Sequence, residues 1–167
     1  IRAKLAGAKL LAIDSRRHRV TESADLFLQI RPGTEVFLYG AMAKVIVDRG
    51  MMNQNFIKSR CTNYDRFLCH IESFDILLAA ERCGVPAELI EQAAIMYAQA
   101  ASAMILYSTG AEASGVEPIQ SMVNMTLLTG NLGKPGAGIM PLAEHNNLQG
   151  GCDMGMLPDY LPGYQSV

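Results

Sequence analysis

The sequence of 167 residues has no tryptophan, only four cysteines and a charged fraction of 18%, and these shortages exclude several classes of protein. Its basic and acidic residues leave a formal net charge of −2. Nucleic-acid binding needs a basic face that neutralises phosphates, so we predict no nucleic-acid partner. Charged residues also interrupt every apolar run before it reaches the roughly 20 residues that span a bilayer, so we predict no membrane insertion of this segment.

The cysteines are too widely spaced to form a metal-binding motif. They are Cys61, Cys69, Cys83 and Cys152, and no two of them form a C-x-x-C pair. This spacing fits neither a zinc site nor an iron–sulfur ligand run, and His145 has no cysteine or carboxylate at ligand spacing. We therefore predict no metal ligand in this segment and expect buried, reduced thiols in a cytoplasmic protein.

The amino terminus gives no sign of a natural start. Ile1 stands where an initiator methionine would be, and the residues after it lack the architecture of a signal peptide. We interpret the chain as an internal piece of a longer parent, whose targeting signal would not be visible here.

Half of the residues are apolar, which is enough for the core of one domain of this length. Short apolar runs bounded by polar or small residues predict strands at 9–13, 26–30 and 103–107. Helical spacing of apolar residues predicts helices at 34–50 with Thr34 as the N-cap, within 53–83, after Pro86 and over 118–128. Leu77 and Leu78 are among the residues expected to face inward.

Helices that alternate with strands predict an α/β fold with a Rossmann-like, mainly parallel sheet covered by helices on both faces. After residue 129 the chain becomes rich in glycine, proline and polar residues, which is typical of a functional or irregular tail. We therefore divide the chain into a Rossmann-like cofactor-binding domain at 1–140 and a loop-rich segment at 141–167.

Ligands of open parallel sheets bind beyond the carboxyl ends of the strands, and two charged residues follow the first strand there. Asp14 is placed to accept hydrogen bonds from a ribose or a guanine edge. Arg16 can bind a phosphate or a carbonyl through its planar guanidinium group. The alternative is a solvated loop with a surface ion pair.

Two further strand ends carry small residues. Gly33 and Glu35 lie at the start of a predicted helix, where free N–H groups favour an anion or an acceptor, although an ordinary helix cap has the same pattern. Gly110 lies in a loop of small residues, 108–111, that either lets a flat ligand approach or simply connects two elements. The loop matches neither G-x-G-x-x-G nor a P-loop.

The tail contributes a cluster of amides and glycines at 145–151. Asn146 and Asn147 supply donors and acceptors that suit a pterin or purine edge. A plain turn-rich loop has the same composition.

Four motifs in order along the chain resemble those of one enzyme family. They are AKLLAIDSRR at 8–17, IRPGTE at 30–35, LLTGNLGKPG at 127–136 and NNLQGGCDMG at 146–155. The chain resembles the catalytic subunits of formate dehydrogenases, within the molybdopterin oxidoreductase superfamily, over essentially its whole length. The ordered match disfavours an unrelated Rossmann-like nucleotide-binding module, such as the central domain of thiamine-dependent enzymes.

The resemblance implies a parent that holds molybdenum or tungsten between two pterin guanine dinucleotides, with a 4Fe-4S cluster outside this segment. It also implies partners, namely the remaining domains of the parent and iron–sulfur or flavin electron-transfer subunits. The residues carried over toward the guanosine and its phosphates are Asp14, Arg16, Gly33 and Glu35, and those toward the pterin and metal are Gly110, Asn146 and Asn147. The segment alone is expected to be inactive.

The sequence departs from the family where formate would be held. Formate dehydrogenases usually have Arg-Gly-Gln before the paired asparagines, whereas this chain has Ala143, Glu144 and His145. Because a methyl group cannot bind a carboxylate, we assign no catalytic residue. Formate oxidation is the first hypothesis for the parent. A substrate other than formate, and a noncatalytic paralogue or assembly subunit, are the alternatives.

Overall fold

The computed structural model describes residues 2–167, in which helices and short strands alternate. The elements up to residue 129 are α1 (Arg2–Leu5), β1 (Leu11–Asp14), α2 (Arg19–Glu22), β2 (Leu26–Gln29), α3 (Glu35–Asp48), α4 (Gln54–Arg60), α5 (Tyr64–Glu72), α6 (Ile76–Cys83), α7 (Ala87–Gln99), β3 (Met104–Tyr107), α8 (Thr109–Ala113) and α9 (Val116–Thr129). The remaining elements are β4 (Gly138–Pro141), α10 (Leu148–Asp153), β5 (Tyr160–Leu161) and β6 (Gln165–Ser166).

The strands confirm the α/β class and its mainly parallel character. β1 pairs with β2 in parallel, and β3 pairs with β4 in parallel, whereas β5 and β6 form a small antiparallel pair in the tail. No strand hydrogen bonds join the two parallel pairs within residues 2–167, so the sheet consists of two halves. One face of the β3–β4 half is open to solvent, because Met104, Leu106 and Met140 are about half exposed there.

Helix α3 is the centre of the core. It packs against α6, α7 and α9, and its fully buried residues include Leu38, Met42 and Ile46. Thr34 is its N-cap residue as predicted, but its hydroxyl donates to the Arg31 carbonyl at 2.6 Å and does not accept from the helix. The expectation of a capping oxygen was therefore wrong, because the preceding turn offers that hydroxyl a nearer acceptor.

Helix α6 buries its small residues and exposes its large ones. Ala79 and Cys83 are buried, whereas Leu77 is 73% and Leu78 46% exposed. The inward orientation predicted for these two leucines was wrong. Close packing of α6 on α3 explains the reversal, since the ring of Phe74, two residues before α6, lies 2.6 Å from where a Cβ at Gly40 would be.

A buried polar network fixes the end of α9 and the start of β3. Gly130 ends the helix in the left-handed conformation (φ +67°), which suits a glycine just past a helix end. Asn131, 1% exposed, then accepts from the Ala103 N–H at 3.1 Å and donates to the Thr129 hydroxyl at 3.0 Å. A buried side-chain amide thus supplies a backbone partner at the entry to β3.

The tail after β4 is largely exposed. Strand β4 and helix α10 were not predicted from the sequence, but residues 142–147 are exposed loop as predicted. Met154 and Met156 are 75% and 70% exposed, in contrast to the methionines of the core, which are Met42, Met122 and Met125 at 0–1%.

The four cysteines are all free thiols, but only Cys83 is buried. Cys61 and Cys152 are half-buried and Cys69 is exposed, so the expectation of four buried thiols was wrong for these three. Burial raises the pKa of the Cys83 thiol, although hydrogen bonds and the Arg31 charge act against that rise. None of the helices in residues 2–167 is long and apolar enough to cross a membrane.

Candidate functional site

Asp14 is the last residue of β1, and both of its carboxylate oxygens have a partner. Oδ1 accepts from the Arg16 backbone N–H at 2.8 Å, and Oδ2 lies 3.1 Å from Nε2 of His18. Partial burial raises the pKa of Asp14, but these two hydrogen bonds and the charges of His18 and Arg16 outweigh it, so the pKa lies below its usual 3.8. Asp14 is therefore an ionised, oriented acceptor at neutral pH.

His18 is held in one orientation by the first turn of α2. Its Nδ1 accepts from the Val20 N–H at 3.3 Å, which leaves the proton of a neutral ring on Nε2, facing Asp14. Thr21, which is buried, closes the turn by accepting from the His18 N–H and donating to its carbonyl, both at 2.8 Å. His18 is not among the site residues predicted from the sequence; its position four residues after Asp14 is the signal that could have found it.

The turn after β2 lies beside that after β1, because Asp14 and Gln29 are register partners at the carboxyl ends of the two strands. The Gln29 side chain reinforces this by donating to the Ser15 carbonyl at 3.1 Å. Gly33 follows in the left-handed conformation (φ +78°), with open space where a side chain would be. A flat ligand can therefore approach the backbone at Gly33 closely.

Glu35 opens α3 and is buried, with only 9% of its surface exposed. Its Oε2 atom has no hydrogen-bond partner among residues 2–167. A buried carboxylate without a donor is costly, and the positive end of the α3 dipole offsets only part of that cost. Burial and the charge of Glu35 together raise the pKa of Tyr39, one turn further along, well above its usual value.

Gly110 lies in α8, so the loop predicted at 108–111 is wrong; Ser108 is the N-cap residue of this helix of five residues. Gly110 is exposed and has open space around it. The Ser108 hydroxyl donates to the Leu142 carbonyl at 2.9 Å, which ties the end of β3 to the end of β4. The structure thereby brings the Gly110 segment next to the start of the tail.

Asn146 and Asn147 lie in the exposed stretch before α10. Asn147 is the N-cap residue of α10 in the left-handed conformation (φ +55°), and its side chain folds over Gly150 without capping the helix. Ala143, at the position where formate dehydrogenases usually have arginine, is also exposed. The side-chain amides of Asn146 and Asn147 are accessible to a ligand, but neighbouring residues do not fix them in an orientation for binding one.

The candidate residues thus form two groups. Asp14, Arg16, Gly33 and Glu35 share the carboxyl edge of the β1–β2 pair, and Gly110 with the asparagines follows the β3–β4 pair. A cleft of about 1330 Å³ between β1 and β3 is lined by none of the seven. Residues 2–167 contain no cluster of three or more potential metal ligands.

Comparison with known proteins identifies the relatives of this chain. F420-dependent formate dehydrogenase 2 subunit alpha of Methanococcus maripaludis is 41% identical over all of this chain and 25% of its own length. Formate dehydrogenase H of Escherichia coli is 40% identical over all of this chain and 24% of its own length. The chain is a homologue of the formate dehydrogenase alpha subunits. The resemblance carried by the four motifs is thereby confirmed.

This formate dehydrogenase homologue has wider relatives as well. The assimilatory nitrate reductase catalytic subunit of Bacillus subtilis is 36% identical over 99% of the chain. The structure is similar to acetylene hydratase from Pelobacter acetylenicus, with a TM-score of 0.76 and 25% identity over 81% of this chain and 19% of that one. No protein-family model matches the chain. The chain spans about a quarter of the length of the curated relatives named above.

Proposed function

We propose that this chain forms the guanosine-binding edge of a molybdopterin guanine dinucleotide in an oxidoreductase of the formate dehydrogenase type. The observation that carries the proposal is the buried Glu35 carboxylate, whose Oε2 atom lacks a donor. Because an isolated protein gains nothing from such a group, a ligand that donates to it is the simplest reason for its presence.

The guanine edge fits this acceptor. Its ring N–H and its exocyclic amine are neighbouring donors, which a carboxylate can accept together in a charge-assisted pair. Gly33, two residues before Glu35, leaves open space for a flat ring. Asp14 retains acceptor capacity for a ribose hydroxyl, and the exposed Arg16 supplies a positive charge for a phosphate.

The bound cofactor would supply two-electron redox chemistry at a molybdenum or tungsten ion, while the residues of this chain bind and orient its nucleotide end. Gly110, Asn146 and Asn147 are proposed to lie toward the pterin. The division between a cofactor-binding domain at 1–140 and a connecting segment at 141–167 belongs to this proposal, as does a cytoplasmic parent with a 4Fe-4S cluster and electron-transfer subunits. Four free thiols agree with a reducing compartment.

Formate is the proposed substrate of the parent, because the relatives in both archaea and bacteria are named formate dehydrogenases. A second candidate is a different substrate in the same type of enzyme. Ala143 favours it, since this exposed methyl group cannot bind a carboxylate as an arginine does. A noncatalytic paralogue that keeps only the cofactor fold is the third.

Glu35→Gln tests the guanosine site. The amide replaces an acceptor by a donor that faces the guanine amine, so we expect the affinity for GDP to fall about 10- to 100-fold by calorimetry. The same variant should be more resistant to urea without nucleotide, because it no longer buries an unpaired charge. Glu117→Gln is the matched control, as Glu117 is an exposed acid in the first turn of a helix of equal length.

The choice of nucleotide sharpens this experiment. IDP lacks the exocyclic amine and should bind the wild-type chain more weakly than GDP, and ADP should bind more weakly still. Equal binding of GDP to wild type and Glu35→Gln would refute the guanosine assignment.

The substrate is tested on the complete gene product. We expect it to contain molybdenum or tungsten by elemental analysis and to reduce a dye with formate. Metal without formate turnover would favour another substrate, and absence of metal from protein made in cells that load other such enzymes would favour the noncatalytic paralogue.

A further inference from the structure

The carboxyl end of α6 is closed by a residue from a distant part of the sequence. The last four carbonyls of an α-helix have no partner within the helix, and three of those of α6 accept from Arg31. The Cys83 carbonyl accepts from the Arg31 backbone N–H at 2.9 Å, and the Glu81 and Arg82 carbonyls accept from its Nη1 at 2.7 Å and 3.3 Å. The positive charge of this arginine therefore lies at the negative end of the helix dipole.

Gly84 gives the guanidinium group the room to reach this position. It follows α6 in the left-handed conformation (φ +75°), and a Cβ there would lie 3.2 Å from Nε and 3.4 Å from Cζ of Arg31. The arginine side chain thus lies along the backbone at the end of the helix. Because Arg31 is exposed, its charge alone adds little stability, and the main effect of these bonds is a fixed geometry.

The same arginine is the first residue of the turn that leads from β2 into α3. Its carbonyl accepts from the Thr34 hydroxyl at 2.6 Å, which closes the turn on itself. Just before the turn, the Ile30 N–H donates to the Asp14 carbonyl at 3.1 Å and joins the end of β2 to β1. The turn is therefore held by β1 on one side and by α6 on the other.

Gly33 and Glu35 take their positions from this turn. Gly33 lies within it, and Glu35 is the first residue of α3. Because α6 packs against α3, a bond from the turn to α6 also fixes the turn relative to the helix that carries Glu35. A carboxylate that accepts two neighbouring donors needs both within hydrogen-bond distance, so a small displacement weakens the pair.

We propose that Arg31 is a positioning residue for guanine recognition. By joining the turn before α3 to the end of α6, it holds Glu35 and the open backbone at Gly33 in the binding arrangement before the nucleotide arrives. This inference rests on the proposed function and adds to it a residue that acts through Glu35. Preorganisation of this kind raises affinity, because less ordering is required when the ligand binds.

Arg31→Met tests the proposal, since methionine keeps an unbranched apolar stem and removes the side-chain donors. We expect the affinity of the chain for GDP to fall about 5- to 20-fold by calorimetry. IDP lacks the exocyclic amine that Glu35 is proposed to accept, so its affinity should fall less and the GDP-to-IDP ratio should move toward one. A partial loss of folded protein lowers both apparent affinities by the same factor and leaves their ratio unchanged.

A conservative variant and a control separate positioning from the loss of any arginine. Arg31→Lys should bind GDP within about threefold of wild type, because its ammonium group keeps the charge and can donate to the same carbonyls. Arg60→Met is the control, since Arg60 is an exposed arginine in the last turn of α4. It should leave the affinities for both nucleotides unchanged.

Hydrogen exchange of the chain without nucleotide tests the connection itself. The amides of Phe37 and Leu38 donate to the Thr34 carbonyl, so they report on the first turn of α3. In Arg31→Met we expect both to exchange about three- to tenfold faster than in wild type. The amide of Ala93, buried in the middle of α7, should be unaffected and serves as the internal reference.

Two outcomes would overturn the proposal. An equal loss of GDP and IDP affinity in Arg31→Met would assign the effect to a phosphate contact or to general stability. Wild-type exchange of Phe37 and Leu38 would show that the turn does not depend on Arg31. The guanosine assignment fails separately, when Glu35→Gln binds GDP as wild type does, whereas a normal Arg31→Met beside an impaired Glu35→Gln rejects the positioning role alone.

Discussion

At the carboxyl end of the β1–β2 pair, polar groups are held in place, whereas at the end of the β3–β4 pair they are free. Asp14 has a partner on each oxygen and Glu35 is buried against the core. Asn146, Asn147 and Gly110, by contrast, are exposed, and no similar contacts hold them in place. The residues of this chain therefore organise the first edge, and they do not hold the polar groups of the second edge in place.

The largest difference should come from one substitution made in each half. Leu28→Ala in β2 empties a fully buried site and should lower the free energy of unfolding by about 3 kcal/mol. Leu106→Ala, at the corresponding position of β3, removes a side chain that is 55% exposed and should cost under about 0.5 kcal/mol. Urea unfolding of the two variants measures both; equal losses would contradict the comparison.

Asn131→Ala should loosen the β3–β4 half selectively. The Ala103 N–H and the Thr129 hydroxyl both lose a buried partner, so we expect a loss of about 2 kcal/mol and faster amide exchange in β3 but not in β1. Asn124→Ala, on the exposed face of α9, is the control and should be close to neutral. A uniform increase in exchange over both halves would argue against a local effect.

The two glycines at the predicted site should respond in opposite directions. Gly33→Ala forces a side chain into a left-handed conformation and should destabilise the chain by about 1 kcal/mol. Gly110→Ala adds a methyl group in open space within a helix and should stabilise by about 0.5 kcal/mol. Thermal unfolding distinguishes the signs, and a destabilised Gly110→Ala would show that the second edge is more constrained than its structure indicates.

The smallest effect concerns the charge on Asp14. Because its folded pKa lies below the unfolded value of 3.8, its contribution to stability is complete above that pH and is lost as the pH falls through the folded pKa. Asp14→Asn should therefore cost a few tenths of a kcal/mol at pH 7, since the side chain is 37% exposed and solvent screens it. The difference from wild type should disappear below the folded pKa in acid unfolding series; a difference that persists there would assign the effect to packing.

The sequence predicts those elements whose signals are local. β1 and β2, and the helices α3, α7 and α9, follow from apolar periodicity and from stop signals such as Gly130. β4 was missed because Gly138 and Pro141 leave only two apolar residues between them. The exposure of Leu77 follows from packing against α3, which no local pattern records.

The candidate site shows the same limit. Strand ends and the family resemblance pointed to Asp14, Gly33 and Glu35, but the burial of Glu35 was not predicted, because charged residues are rarely buried. Its burial depends on α3 being central to the core. The division of the sheet into two halves depends likewise on how β1 and β3 are placed relative to each other. These strands lie about 90 positions apart in the sequence, and the periodicity of apolar residues does not record contacts over such a separation.

The methionines described in the core and in the tail differ in one further respect, which is their susceptibility to peroxide. Met154 and Met156 present their thioethers to solvent, whereas Met42, Met122 and Met125 are sealed in the core. Conversion to sulfoxide should therefore begin in the tail and leave the fold intact. Mild oxidation followed by peptide mapping would then label the parts of the molecule that lack a covering partner, and the same map in the complete gene product would show which of them become covered.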